Sequence, residues 1–120
     1  MSTIRRFEDL EIWKKARELT SFVYSATRTV EFYRDRELRG QMRESSVSMM
    51  SNIAEGFCRN SDKEFIRFLF IAKSSGAELQ SHSYVALDQK YITKQTFDIL
   101  YESIDHVCRM ASNLIKHLSQ

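Results

Sequence analysis

The chain has 120 residues, 42% hydrophobic and 28% charged, a balance that suits one globular domain and excludes a disordered chain. It has no proline and only three glycines, Gly40, Gly56 and Gly76, too few for the turns of a β-rich fold of this length. The net charge of +2 does not by itself imply a nucleic-acid partner, and no run approaches the roughly 20 apolar residues of a membrane span.

The spacing predicts four helices. The first runs from about 9 to 30, where Trp13, Ala16, Thr20, Val23, Thr27 and Val30 recur at intervals of three and four and lay one stripe along one face. The second spans about 35 to 59. Its apolar residues, Leu38, Met42, Met49 and Ile53 flanked by Val47, Met50, Ala54 and Phe57, cover about half of the helix circumference. The third spans about 62 to 88. It opens on Ser61-Asp62-Lys63-Glu64, a capping box in which the Ser61 hydroxyl and the Glu64 carboxylate satisfy free N–H groups reciprocally. Asn60, just before it, suits a left-handed helix stop. The fourth spans about 93 to 118, with Phe97, Leu100, Ile104, Val107, Ala111, Leu114 and Leu118 forming a strict heptad seam. The links, about 31–34, 60–61 and 89–92, are short enough to force consecutive helices antiparallel. The expected fold is therefore all-α: a single-domain, up-down-up-down four-helix bundle over 1–120, with helices roughly 30–40 Å long packed near 20°.

The third helix carries more apolar surface than such a bundle hides. Phe65, Phe68, Leu69, Ala72, Gly76, Leu79, Ser83, Ala86 and Leu87 form one stripe. Ile66, Phe70, Ala77 and Tyr84 form a second, roughly 100–120° round the helix, with the aliphatic stem of Lys73 beside it. A face of that size predicts an oligomer interface on Ile66, Phe70, Ala77 and Tyr84.

Two sets of residues invite chemistry. Gln41, Ser45, Ser48, Asn52, Glu55 and Arg59 line a polar stripe on the second helix, and Glu78 on the third helix is placed to join it. The plain reading is a satisfied polar layer that fixes register; the alternative is a small-ligand or catalytic site on the second and third helices. The other set is basic. Residues 1–59 hold 11 Lys and Arg against 9 Asp and Glu, whereas 60–120 hold 7 against 7. Arg28, Arg34, Arg36, Arg39 and Arg43 crowd one end of the bundle, and Tyr33 among them is placed to stack on a base. Against that stands a solvated, salt-bridged helix end, with Glu31, Asp35 and Glu37 interspersed.

Metal and nucleophile signals are weak. Glu78…His82 and Glu102…His106 are spaced i,i+4 rather than the Glu-x-x-His of di-iron bundles. Glu102 lies off the apolar seam, and no cofactor is expected. Cys58 and Cys108 stand without CxxC spacing, and the polar stretch from Met1 to Asp9 lacks the apolar core of a secretory signal. Both read as a cytoplasmic protein with reduced thiols. No phosphate-binding loop or nucleophile elbow is present, so no catalytic residue is assigned.

Three runs carry a family resemblance: Asp9-Leu10-x-x-Trp13-x-x-Ala16, then Ser48-x-x-x-Asn52-Ile53-Ala54-Glu55-Gly56-Phe57-x-Arg59, then Glu64-Phe65-x-Arg67-Phe68-Leu69-x-Ile71-Ala72 with Ser75-x-x-Glu78-Leu79. They resemble the 23S ribosomal RNA intervening-sequence proteins, also labelled S23 ribosomal proteins. The resemblance implies a left-handed four-helix bundle assembled as a homopentameric barrel, without catalytic activity. A similar barrel is an accessory protein of a diversity-generating retroelement and contacts reverse transcriptase and nucleic acid. The chain departs from the family at Phe32-Tyr33, where Phe-Pro is usual, at Glu44, where the family tends to be basic, and at Lys73-Ser74-Ser75 in place of Arg-Gly-Ser. The expectation is a non-enzymatic oligomer that binds RNA, DNA or a nucleic-acid enzyme through a basic rim.

Overall fold

The computed structural model describes residues 4–120. A 3-10 turn at Phe7–Asp9 leads into α1 (Glu11–Ala26), a short α2 (Val30–Arg34), α3 (Arg36–Cys58), α4 (Asp62–Asp88) and α5 (Lys94–Leu118), with no strand among the described residues. The four longer helices pack side by side in the ring order α1, α3, α4, α5, giving an elongated body of 48 × 20 × 19 Å. No described helix is long and apolar enough to cross a membrane.

The first predicted helix is broken. It ends at Ala26, and the expected link at 31–34 is itself helical. At the break the buried Thr27 hydroxyl donates to the carbonyls of Val23, at 2.9 Å, and Tyr24, at 3.2 Å, and so satisfies the last carbonyls of α1. Thr29 then turns extended, with φ −61° and ψ 151°, and starts α2. Val30, expected on the core stripe, is instead 69% exposed on this separate element.

The other helix ends follow local chemistry. Asp35 caps α3 by accepting from the Leu38 N–H at 3.1 Å, and Thr93 caps α5 by accepting from Thr96 at 3.1 Å. Ser61 caps α4, accepting from the Glu64 N–H at 3.3 Å. The reciprocal half of the expected capping box is replaced, because the Glu64 carboxylate accepts from Arg67 instead. Asn60 takes the left-handed conformation at φ 57°. Lys90 does so too, at φ 63°, inside a Schellman stop: Lys90 N–H bonds Leu87 O, and Tyr91 N–H bonds Ala86 O.

The core is built from Val23, Phe32, Met42, Met49, Ile53, Leu69, Leu79, Leu100 and Ile104, all essentially inaccessible. Gly56 lets α3 and α4 approach closely: a Cβ there would lie 2.6 Å from the Phe68 Cβ. The first predicted stripe of α4 is the buried one, and of α5's heptad seam only Leu114 and Leu118 near its end are partly exposed.

Candidate nucleic-acid interface

The five crowded arginines meet at the junction of α1, α2 and α3. Arg28 stands in the turn after α1, Arg34 closes α2, Arg36 opens α3, and Arg39 and Arg43 follow on its next turns. Arg28, Arg34 and Arg36 are exposed, whereas Arg39 and Arg43 are half-buried and held in place. The Arg39 guanidinium sits 3.8 Å from the centroid of the Tyr33 ring and also donates to the Tyr33 carbonyl. Arg43 lies 4.4 Å from the Tyr24 ring centroid and 5.7 Å from that of Tyr33, while its Nε donates to Thr27 Oγ1 at 2.8 Å. Cation–π contacts of this kind contribute about 0.5–2 kcal/mol each, depending on exposure.

The carboxylates of Glu31, Asp35, Glu37 and Glu44 stand among these arginines in the chain, yet none of them makes a contact ion pair with one. Among the described residues, none of these five arginines makes an ion pair. Asp35, between Arg34 and Arg36 in the chain, accepts instead from the Leu38 N–H through Oδ1 and from the Tyr91 hydroxyl through Oδ2, both at 3.1 Å. That hydrogen bond, with smaller contributions from burial and from the charges of Asp35 and Glu31, raises the Tyr91 pKa above its ordinary value. Tyr91 also stacks on Phe32 at 5.0 Å, which anchors α2 to the body. The result is an open depression lined by Tyr33, Arg34, Arg36 and Arg39. Spacing alone offers no reason to include Tyr24: its link to Arg43 spans 19 positions and arises only when α1 packs on α3.

The polar stripe is largely self-partnered. Ser45 donates to Glu78 at 3.1 Å, the Ser48 and Ser75 hydroxyls pair at 2.9 Å, and Asn52 donates to the Ser48 carbonyl at 2.8 Å and its hydroxyl at 3.1 Å. Arg59 pairs with Glu55 at 2.9 Å, and Gln41 is exposed. Two of these bonds tie α3 to α4.

The second stripe of α4 divides. Ile66 is half-buried, and Phe70 and Ala77 face outward, Phe70 with 52% of its surface exposed and the Lys73 ammonium 5.5 Å from its ring centroid. Tyr84 packs against Phe97 at 4.8 Å and Tyr101 at 5.9 Å, yet remains 50% exposed. Glu102, one of the acids considered beside a histidine, pairs with Arg109 at 3.0 Å. Among the described residues, no three His, Cys, Asp or Glu side chains gather as a metal site. Cys58 is exposed; Cys108 is half-buried, and burial, then the nearby Asp105, pushes its thiol pKa up.

These observations define an all-helical protein with a cluster of arginines free of contact ion pairs at one end and an exposed apolar helix face. Residues 8–113 match the 23S rRNA-intervening sequence protein family, and the chain belongs to it. Among solved structures, it is similar to the crystal structure of a protein of unknown function from the S23 ribosomal protein family of Bacteroides thetaiotaomicron. The TM-score is 0.79 at 21% identity, over 88% of this chain and 98% of that one, a likeness that speaks for the fold alone. No curated protein matches the chain.

Proposed function

We propose that the chain is a non-enzymatic, cytoplasmic, homo-oligomeric helical bundle that binds RNA, DNA or a nucleic-acid enzyme through a basic rim. Its helices run up-down-up-down, and its assembly is the pentameric barrel that the family resemblance implies. The observation that carries the reading is the cluster of Arg28, Arg34, Arg36, Arg39 and Arg43, which makes no ion pair among the described residues. Copied round a ring, such a cluster forms a continuous band that releases counterions from phosphates. The exposed Phe70, Ala77 and Tyr84, with Ile66 half-buried beside them, support self-association.

Two measurements test this. Multi-angle light scattering at micromolar concentration is expected to report an oligomer, and a monomer would remove the ring. Binding of a labelled oligonucleotide at low salt is expected to weaken when Arg34, Arg36, Arg39 and Arg43 become Ala. Binding that is absent, or indifferent to those changes, removes the rim.

A further inference from the structure

We infer that the depression beside α2 takes single-stranded nucleic acid, with one base stacked on the Tyr33 ring and the adjoining phosphates against Arg34 and Arg36; the inference rests on the basic-rim reading above. Arg39 and Arg43 both reach the Tyr33 ring from α3, at 3.8 and 5.7 Å from its centroid, yet the residue remains 50% exposed. The ring is therefore held by two guanidinium groups from α3 while half of the residue stays open to solvent. Its backbone is fixed as well: the Tyr33 N–H bonds Thr29 O at 2.8 Å, its carbonyl accepts from Arg39, and the preceding Phe32 is fully buried against Tyr91. An exposed aromatic face on a rigid support is a platform on which a base stacks with little ordering cost.

The surroundings match that occupant. Val30, 69% exposed, precedes Tyr33 by one turn on α2 and adds exposed apolar surface beside the depression. Arg34 and Arg36 are exposed and make no ion pair among the described residues, so they are free to meet phosphate. Arg39 and Arg43 are engaged with tyrosine rings and with Thr27, which makes them positioning residues rather than backbone contacts. In a duplex the base faces are hidden in the stack, and exposing one costs several kilocalories per mole, so a duplex can offer this site its phosphates but not its bases.

The test compares a fluorescently labelled 15-nucleotide oligo-dT with a 15-base-pair duplex, using the full chain at low salt and fluorescence anisotropy. The wild-type protein is expected to bind the single strand about tenfold more tightly. Tyr33→Leu is expected to weaken single-strand binding about tenfold and leave duplex binding within twofold, whereas Tyr33→Trp retains the preference. The double change Arg34→Ala with Arg36→Ala weakens both probes. Circular dichroism melting of Tyr33→Leu verifies that the fold is intact; Tyr33→Phe, which keeps the ring, serves as a second variant expected to retain the preference. Equal affinity for the two probes, or a Tyr33→Leu effect that is nil or the same on both, overturns the single-strand inference while the arginine double change still reports on the rim. Failure to bind either probe overturns both readings.

Discussion

Two arginine–aromatic clusters stand near opposite ends of α3. Near its C-terminus, Arg59 and Arg67 lie 4.9 and 4.5 Å from the centroid of the Phe68 ring; near its N-terminus, Arg39 and Arg43 lie 3.8 and 5.7 Å from that of Tyr33. At Phe68 both guanidinium groups are neutralised, Arg59 by Glu55 at 2.9 Å and Arg67 by Glu64 at 3.0 Å. At Tyr33 neither makes an ion pair among the described residues. Phe68 is buried, whereas Tyr33 is half exposed. A guanidinium over an aromatic ring is thus no mark of a binding surface by itself. Guanidinium groups without a contact ion pair and an exposed aromatic residue separate a docking platform from a packing motif.

The largest expected difference is in stability. Phe68→Ala opens a cavity where α4 packs against Gly56 of α3 and is expected to cost about 3 kcal/mol. That corresponds to a fall in Tm on the order of 10 °C by calorimetry. Tyr33→Ala removes a half-exposed ring and is expected to cost less than about 1 kcal/mol. Similar losses at the two sites would mean that Tyr33 is structural.

Charge comes next. Replacing Arg28, Arg34 and Arg36 together by Ala is expected to weaken oligonucleotide binding at least tenfold. The slope of log affinity against log salt should fall by about 2, close to 0.7 for each lost single-strand phosphate contact. Replacing Arg59 and Arg67 removes as much formal charge for each residue, but from pairs already neutralised, and is expected to change binding less than about twofold, since exposed ion pairs are weak and locally balanced. Equal losses from the two ends would show that net charge alone governs binding.

Two glycines on α3 sharpen the same contrast. A methyl group at Gly56 meets the Phe68 Cβ at 2.6 Å, an atom with little freedom to move, so Gly56→Ala is expected to destabilise by about 1–3 kcal/mol. Gly40, toward the Tyr33 end, has nothing within 4 Å, and Gly40→Ala is expected to stabilise by about 0.5–1 kcal/mol through helix propensity. Thermal unfolding of the two variants should move in opposite directions.

Much of this contrast was legible before any coordinates. The buried stripes of α4 and α5, the Ser61 cap and the Asn60 stop follow from spacing and local hydrogen bonding, which reach only three or four residues along the chain. The break after Ala26 is not legible in the spacing, because Thr27 fits the core stripe and is buried there, as the expected continuous helix would have it. The left-handed Lys90 was missed because lysine carries no preference for that conformation. At the candidate site the cluster of arginines could be read, but its division into held and free members could not. That division depends on Tyr24, Tyr33 and Thr27 arriving at α3 from two other elements.

The smallest effect probes the neutralised cluster itself. A hydrogen bond from Arg67 holds the Glu64 carboxyl below its ordinary pKa against the opposing effect of desolvation, with smaller help from the charges of Arg67, Arg59 and Lys63. A carboxyl whose folded-state pKa is depressed favours the folded state above its unfolded value and loses that contribution as pH falls through the folded one. Solvent screening keeps the contribution at this exposed pair small, so the titration midpoint is the better readout than global stability. NMR titration of the Glu64 side chain is expected to give a midpoint below that of a free glutamate, and Arg67→Gln should return it upward. Tyr33 has no carboxylate at which the same experiment can be done, and that is the difference between the two clusters. If the Glu64 midpoint is ordinary in the wild-type protein, its pair with Arg67 is scarcely populated in solution, Arg67 is as free as Arg34, and the electrostatic half of the contrast fails.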